Sequence, residues 1–288
     1  MPRLDRILTL YFCAPLWRLF RGGGGRSVPI LTYHSISENL FGRSHPYYQI
    51  NTSPVVFAQQ MRWLRNAGYR TLDLHDLPAL FESGLDLCKR FVVTFDGGYR
   101  DVLTEGWPVM QQCGFSATVF LTTDRIRTDP LRFEGADYLT WKDVRELYSH
   151  GVTFGSHTVS HPDLRSLEPE EIDYELGYSK ESIEQKIGGP VRAFSYPFSF
   201  PEEDKPFTRY LCDALDNHGF EIGVSNVIGR ASPDHHAFFL PRLPINSWDD
   251  TRLLAVKLNG GYDWMHLPQW LHKFVHHNAT MMQRASNF

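Results

Sequence analysis

Phe91-Val92-Val93-Thr94-Phe95-Asp96-Gly97-Gly98-Tyr99-Arg100-Asp101 decides how this chain of 288 residues folds. A short apolar run stops at an acid, two glycines and an aromatic. A buried strand reads this way when it delivers a carboxylate to the rim of a barrel or an open sheet. The glycines let the backbone turn sharply where the strand ends. Two later stretches have the same form, Gly155-Ser156-His157-Thr158-Val159-Ser160-His161 and Arg192-Ala193-Phe194-Ser195-Tyr196-Pro197-Phe198. Each places polar chemistry at the end of an apolar run.

Outward from this centre, strands and helices alternate. Val28–His34 reads as a first buried strand, and Ser53-Pro54 opens a helix that Gly68 stops. Tyr69–Leu74 is a second strand and Asp76–Ser83 a short helix. Beyond the central strand come a helix over Asp101–Cys113, a strand over Ala117–Leu121 and a helix over Thr140–Ser149. Further strands follow at Val152–Ser156, Val191–Tyr196, Phe220–Ser225 and Phe239–Ile245. Helices between them run from Ser166-Leu167-Glu168-Pro169 to Gly188 and from Lys205 to His218. A last helix, capped in Ser247–Asp250, reaches about Leu258. Such alternation predicts an α/β domain with a parallel sheet and helices outside. Eight or so strands with functional ends favour a closed barrel, whose chemistry collects at the C-terminal rim.

The expected organisation is a single barrel domain over 28–260, an N-terminal segment over 1–27, and a C-terminal helix and tail over 261–288. Ile7–Phe20 is apolar with flanking arginines. At about fourteen residues it is shorter than the roughly twenty that span a bilayer. A basic amphipathic helix on a membrane surface and a helix packed on the barrel are both compatible with it. Gly22–Gly25 reads as a hinge.

Composition narrows the function. A formal charge of −4 without a basic aromatic patch argues against nucleic-acid binding. The hydrophobic share of 42% suits a globular core. Four scattered cysteines form no CxxC pair, so a cytoplasmic or membrane-associated protein is the default. An oxidising, extracytoplasmic setting stays open.

His157 and His161 lie four apart just past a strand. If the segment turns helically, both imidazoles face one point, as ligands of Zn²⁺ or a similar ion do; otherwise they are capping or solvated groups. Asp96, on another strand end, is then a ligand or a base for the attacking water. Arg192 either holds that carboxylate or forms a surface ion pair. A turn after Pro197 would free the Phe198 amide to donate to an oxyanion. His34 ends the first strand, as a general acid or as a satisfied core contact. His272 with His276, and His235 with His236, read as solvated.

The three motifs resemble the polysaccharide deacetylase family of carbohydrate esterases, over about Val28 to Arg242. Thr94–Tyr99 is similar to its first motif, His157–His161 to its second and Arg192–Phe198 to its third. The resemblance implies a distorted (β/α) barrel of about seven or eight strands that removes acetyl groups from an acetylated polysaccharide, with a divalent metal, Zn²⁺ by preference. On that basis His157 and His161 bind metal, Asp96 is the base, Arg192 holds Asp96, and the Phe198 amide donates to the oxyanion. His34 is the acid, with His266 a poorer candidate. One departure stands out: the family places a second acid, a metal ligand, where this chain has Gly97. A two-histidine site should hold metal weakly or not at all. The alternatives are a catalytically inactive glycan-binding member of the same fold and a metal-independent amidohydrolase.

Overall fold

Seven parallel strands close on themselves in the computed structural model, which describes residues 3–13, 26–38 and 49–275. In chain order the strands are β1 (Ile30–Tyr33), β2 (Arg70–Thr71), β3 (Arg90–Gly97), β4 (Thr118–Leu121) and β5 (Arg132–Phe133). They continue with β6 (Ala136–Asp137), β7 (Thr153–Ser156), β8 (Ala193–Ser195), β9 (Ile222–Ile228) and β10 (Leu240–Pro244). The ladder runs β1-β10-β9-β8-β7-β4-β3, and β3 pairs back to β1 through Leu31 with Val93 and Tyr33 with Phe95. The expected α/β barrel is therefore present, with seven strands in the ring. β2 flanks it, pairing only with the start of β3.

The barrel strands are buried on both faces, which is why they read as near-continuous apolar runs. β1 and β4 are buried throughout, and β3 after its first residue. The helices outside include α1 (Leu4–Leu8), α2 (Pro54–Asn66), α3 (Leu77–Ser83), α4 (Trp107–Cys113), α5 (Trp141–Ser149), α6 (Pro169–Ile187), α7 (Lys205–Asn217) and α8 (Thr251–Leu258), and residues 266–275 are helical as well. Three of the helix starts carry side-chain caps at residues that the sequence marks. Ser53 accepts from the Val56 amide, Thr140 and Asp143 form a reciprocal capping box, and Asp250 accepts from the Leu253 amide. Tyr33, Phe57 and Phe95 form one aromatic knot, with ring centroids 5.1 to 5.9 Å apart. Each such ring contributes about 1.5–3 kcal/mol by leaving water.

One expectation changes, and two further features appear that the sequence left open. The strand expected over Tyr69–Leu74 shrinks to Arg70–Thr71, because Leu74–Asp76 winds into a 3-10 turn that starts α3. A two-stranded hairpin, β5 with β6, fills part of the stretch between β4 and α5 to which the sequence assigns no element. The N-terminal segment docks on the barrel through charge. Arg3 donates to Asp249, whose other oxygen accepts from Lys257, and Asp5 accepts from the Tyr262 hydroxyl at 2.8 Å. Among the described residues no helix is long and apolar enough to cross a membrane. Residues 14–20 of the expected amphipathic stretch, the Gly22–Gly25 hinge and His276 lie outside the described residues.

Candidate functional site

Asp96, the penultimate residue of β3, enters a cavity of about 610 Å³ at the C-terminal end of the strands. Its carboxylate is only 3% exposed and is held by an arginine, though not the expected one. Arg242 of β10 donates Nη1 to Asp96 Oδ1 and Nη2 to Oδ2, both at 2.8 Å. Its remaining N–H groups reach Thr94 Oγ1, Ser195 Oγ and the Ser225 carbonyl, so all five donors are used. Ser195 Oγ in turn donates to Asp96 Oδ2. Although burial alone would raise it, the Asp96 carboxyl is held well below the usual carboxylate range by Arg242 and nearby imidazoles.

Arg192 is elsewhere. It precedes the start of β8, at the opposite end of the strand from the chemistry, and forms an exposed pair with Glu221 at 3.4 Å. The bland reading of Arg192 was the right one. Arg242 does carry a signal in the sequence: a lone cation in the apolar run Leu240–Pro244 must find a buried acid.

The two histidines of the second motif come together, but not on a helical turn. Thr158 and His161 both adopt left-handed backbone, φ 65° each, and the rings of His157 and His161 meet edge to face at 4.7 Å. Positive φ is costly for a β-branched residue, so other contacts must impose it. Glu175 of α6 does so. Its carboxylate accepts from the amides of Val159 and Ser160 at 2.7 and 3.0 Å and from Ser160 Oγ at 2.7 Å. Thr158 Oγ1 closes the loop by accepting from the His161 amide. His157 Nδ1 lies 2.7 Å from the Ser195 carbonyl, which can only accept. That bond fixes the tautomer and leaves Nε2 as the nitrogen with a free lone pair. Nothing in the sequence of α6 marked Glu175 apart from its other acids.

His34 lies just past β1 and lines the same cavity, as do His161 and Phe198. Burial lowers His34 to a pKa of about 4, so it rests neutral. His161 is lowered to about 3, first by burial and then by His157 and Arg125. Phe198 has φ 53°, is anchored by Asn226 Nδ2 on its carbonyl at 2.5 Å, and lays its ring 4.8 Å from that of His161. Its N–H has no partner among the described residues and is free to donate. His266 instead pairs with Glu202 at 2.9 Å and does not line the cavity.

The donor set does not suit a divalent ion. A catalytic zinc site takes three protein ligands and leaves one position open. Here two imidazoles stand together, both Asp96 oxygens are engaged by Arg242, and residue 97 has no side chain. Among the described residues no group of three or more His, Cys, Asp or Glu could hold a metal. The charges lining the cavity also cancel, two carboxylates (Asp96, Glu134) against two guanidiniums (Arg125, Arg242). Gly97 is more than a missing ligand. It has φ +99°, and a Cβ there would lie 2.9 Å from the Tyr99 ring. The place where a ligand's side chain would start is filled by Tyr99.

A family model described as polysaccharide deacetylase matches residues 86–223. YxkH of Bacillus subtilis (strain 168), a protein of polysaccharide deacetylase type, is 28% identical over 220 residues, 76% of this chain and 71% of its own. The poly-β-1,6-N-acetyl-D-glucosamine N-deacetylase of Staphylococcus epidermidis is 22% identical over 257 residues, 82% of this chain and 84% of its own. Among solved structures, the Streptococcus pyogenes deacetylase PplD in complex with acetate superposes with a TM-score of 0.68 at 23% identity, covering 81% of this chain and 98% of that one. At that identity the superposition speaks for the fold alone.

Proposed function

Because the chain belongs to the polysaccharide deacetylase family, we propose that it is a hydrolase removing acetyl groups from a glucosamine-containing polysaccharide, with N-acetyl groups as the substrate bond. The observation that carries this reading is the Arg242-clamped Asp96 facing His34, His157 and His161 in one cavity at the barrel rim. The likeness to a poly-N-acetylglucosamine deacetylase supports the choice of glycan.

At neutral pH Asp96 is ionised and His34 neutral, so the pair carries no proton at rest. As the oxygen of water attacks the acetyl carbon, Asp96 accepts one of its protons and the C=O electron pair moves onto oxygen. The Phe198 N–H, without a partner among the described residues, donates to that oxyanion. The proton passes to His34, whose imidazolium the carboxylate stabilises, and from there to nitrogen as the C–N bond breaks. Acetic acid then gives its own proton to the amine, leaving acetate and ammonium. Asp96 and His34 return to their starting states.

Acetate release from N-acetylglucosamine oligomers by the purified chain tests the reading. No release, with or without added Zn²⁺, Co²⁺ or Ni²⁺, would refute it. Membrane-surface contact through residues 7–20 belongs to the same proposal, supported by the exposure of Ile7, Leu8, Tyr11 and Phe12. Flotation with vesicles containing anionic lipid checks it, and unchanged flotation of a Leu8→Glu, Phe12→Glu protein would count against it.

A further inference from the structure

Arg125 is a cation that the sequence motifs do not account for. It closes the short 3-10 turn Thr123–Arg125 that follows β4, so it stands at the same rim as Asp96. The turn is tied to the histidine loop by two backbone bonds, Thr123 N–H to the Thr158 carbonyl and Asp124 N–H to the Val159 carbonyl. Its guanidinium is therefore fixed relative to His157 and His161. The side chain is held as well. Nη1 donates to the Tyr138 hydroxyl at 3.2 Å, and the guanidinium carbon lies 5.5 Å from the centre of the Tyr138 ring and 5.3 Å from that of Phe133. The Tyr138 ring packs 5.0 Å from Tyr99, the residue that fills the space over Gly97. The aromatic cluster that takes the place of an acidic side chain thus positions a positive charge.

Among the described residues Arg125 pairs with no carboxylate, and the Tyr138 hydroxyl is its one side-chain hydrogen-bond partner. Glu134 lines the same cavity without forming an ion pair with it. A half-buried guanidinium with unused donors in a cavity is an anion site by its chemistry.

We propose that Arg125 is the fixed cation of this site: its guanidinium holds the oxygen that turns negative when water adds to the acetyl carbon, then the carboxylate of the acetate released, so that hydrolysis here needs no divalent ion. This rests on the deacetylase reading for its substrate. When water adds, the C=O electron pair settles on the oxygen beside Arg125. The pair returns as the C–N bond breaks, and nitrogen leaves with the proton that came from water.

Two measurements on the full chain decide it. In the first, sodium acetate is titrated into chelator-treated protein by calorimetry, for wild type, Arg125→Ala and Arg125→Gln. Acetate is expected to bind the chelated wild type and to weaken at least ~10-fold in both variants, as loss of a charged hydrogen bond requires. Equal acetate binding by all three overturns the proposal. In the second, acetate release from N-acetylglucosamine oligomers is followed with and without chelator. Release is expected to survive chelation and to fall about 100-fold in kcat/KM in Arg125→Ala. Added guanidinium ion should recover part of that loss, which a merely structural role would not allow. Release that stops on chelation and returns with zinc overturns the metal-free site while leaving the deacetylase reading intact. Acetate binding that depends on Arg125 in a protein that deacetylates nothing sinks the deacetylase reading and keeps Arg125 as the anion site.

Discussion

Arg242 grips Asp96 through two parallel N–H···O contacts of 2.8 Å, across 146 residues of sequence and with both side chains almost wholly out of water. This pair joins the last strand of the barrel to its central one. It also fixes the carboxylate on which the proposed chemistry turns.

Breaking the pair should be costly. Arg242→Ala leaves a buried carboxylate without its counter-charge, which typically destabilises by about 3–5 kcal/mol. Arg192→Ala should cost no more than about 0.5 kcal/mol, because its pair with Glu221 is exposed. Urea unfolding of the two variants checks the contrast. Equal midpoints would mean that Asp96 is not held as described.

Gly97→Asp should not create a working metal site by itself. The residue needs φ +99°, and its Cβ would press on Tyr99. The strain is worth about 1–3 kcal/mol. Gly97→Ala should show most of that loss without introducing charge. Thermal melts together with elemental analysis after zinc loading give the answer. A Gly97→Asp protein as stable as wild type, with one zinc per chain, would contradict it.

Glu175→Gln should loosen the histidine loop. The substitution keeps the shape but removes the negative charge that accepts from Val159, Ser160 and the Ser160 hydroxyl. Hydrogen bonds to a charged group contribute about 1.5–3 kcal/mol each, so even partial loss is measurable. Hydrogen exchange at Val159 and Ser160 should accelerate, with deacetylase activity falling in parallel. Unchanged exchange there would show that the left-handed backbone of Thr158 and His161 holds without Glu175.

The acidic limb of activity should lie near pH 4. Burial lowers His34 to about that value, and Asp96 titrates lower still. As the pH falls through about 4, His34 takes a proton and can no longer receive the one from water, so kcat/KM drops. An ordinary solvated histidine would place the limb near 6.5. The same shift has a stability consequence. His34 has its folded value below its unfolded one, so the stability it contributes is complete above pH ~6.5 and is lost as pH falls towards 4. A kcat/KM profile with its limb near 6.5 would mean that desolvation does not hold His34 down in the folded protein.

Much of this protein is written in local sequence. Val92, Val93 and Phe95 alternate with nothing polar but Thr94, so a doubly buried strand was readable before its neighbours were known. Ser53, Thr140 and Asp250 marked helix starts because a cap is a contact within three residues. His157, His161 and the acid on β3 stood out the same way, as unusual residue types at strand ends.

What the sequence could not supply were partners separated by long stretches of chain. Arg192 sits within a recognisable motif, yet strand direction sends it to the wrong end of the barrel. Arg242, in no motif, is carried to Asp96 by the closure of β10 onto β1. Glu175 was one acid among several on α6 until the helix packed against the histidine loop. Tyr99 over Gly97, and Arg125 held by Tyr138 and Phe133, depend on a hairpin that local patterning did not announce. Periodicity and capping are short-range, so the sequence by itself determined an α/β barrel with Asp96, His34, His157 and His161 at strand ends. Which cation meets which anion depends on where closure of the barrel brings distant side chains, and only the tertiary structure decided that.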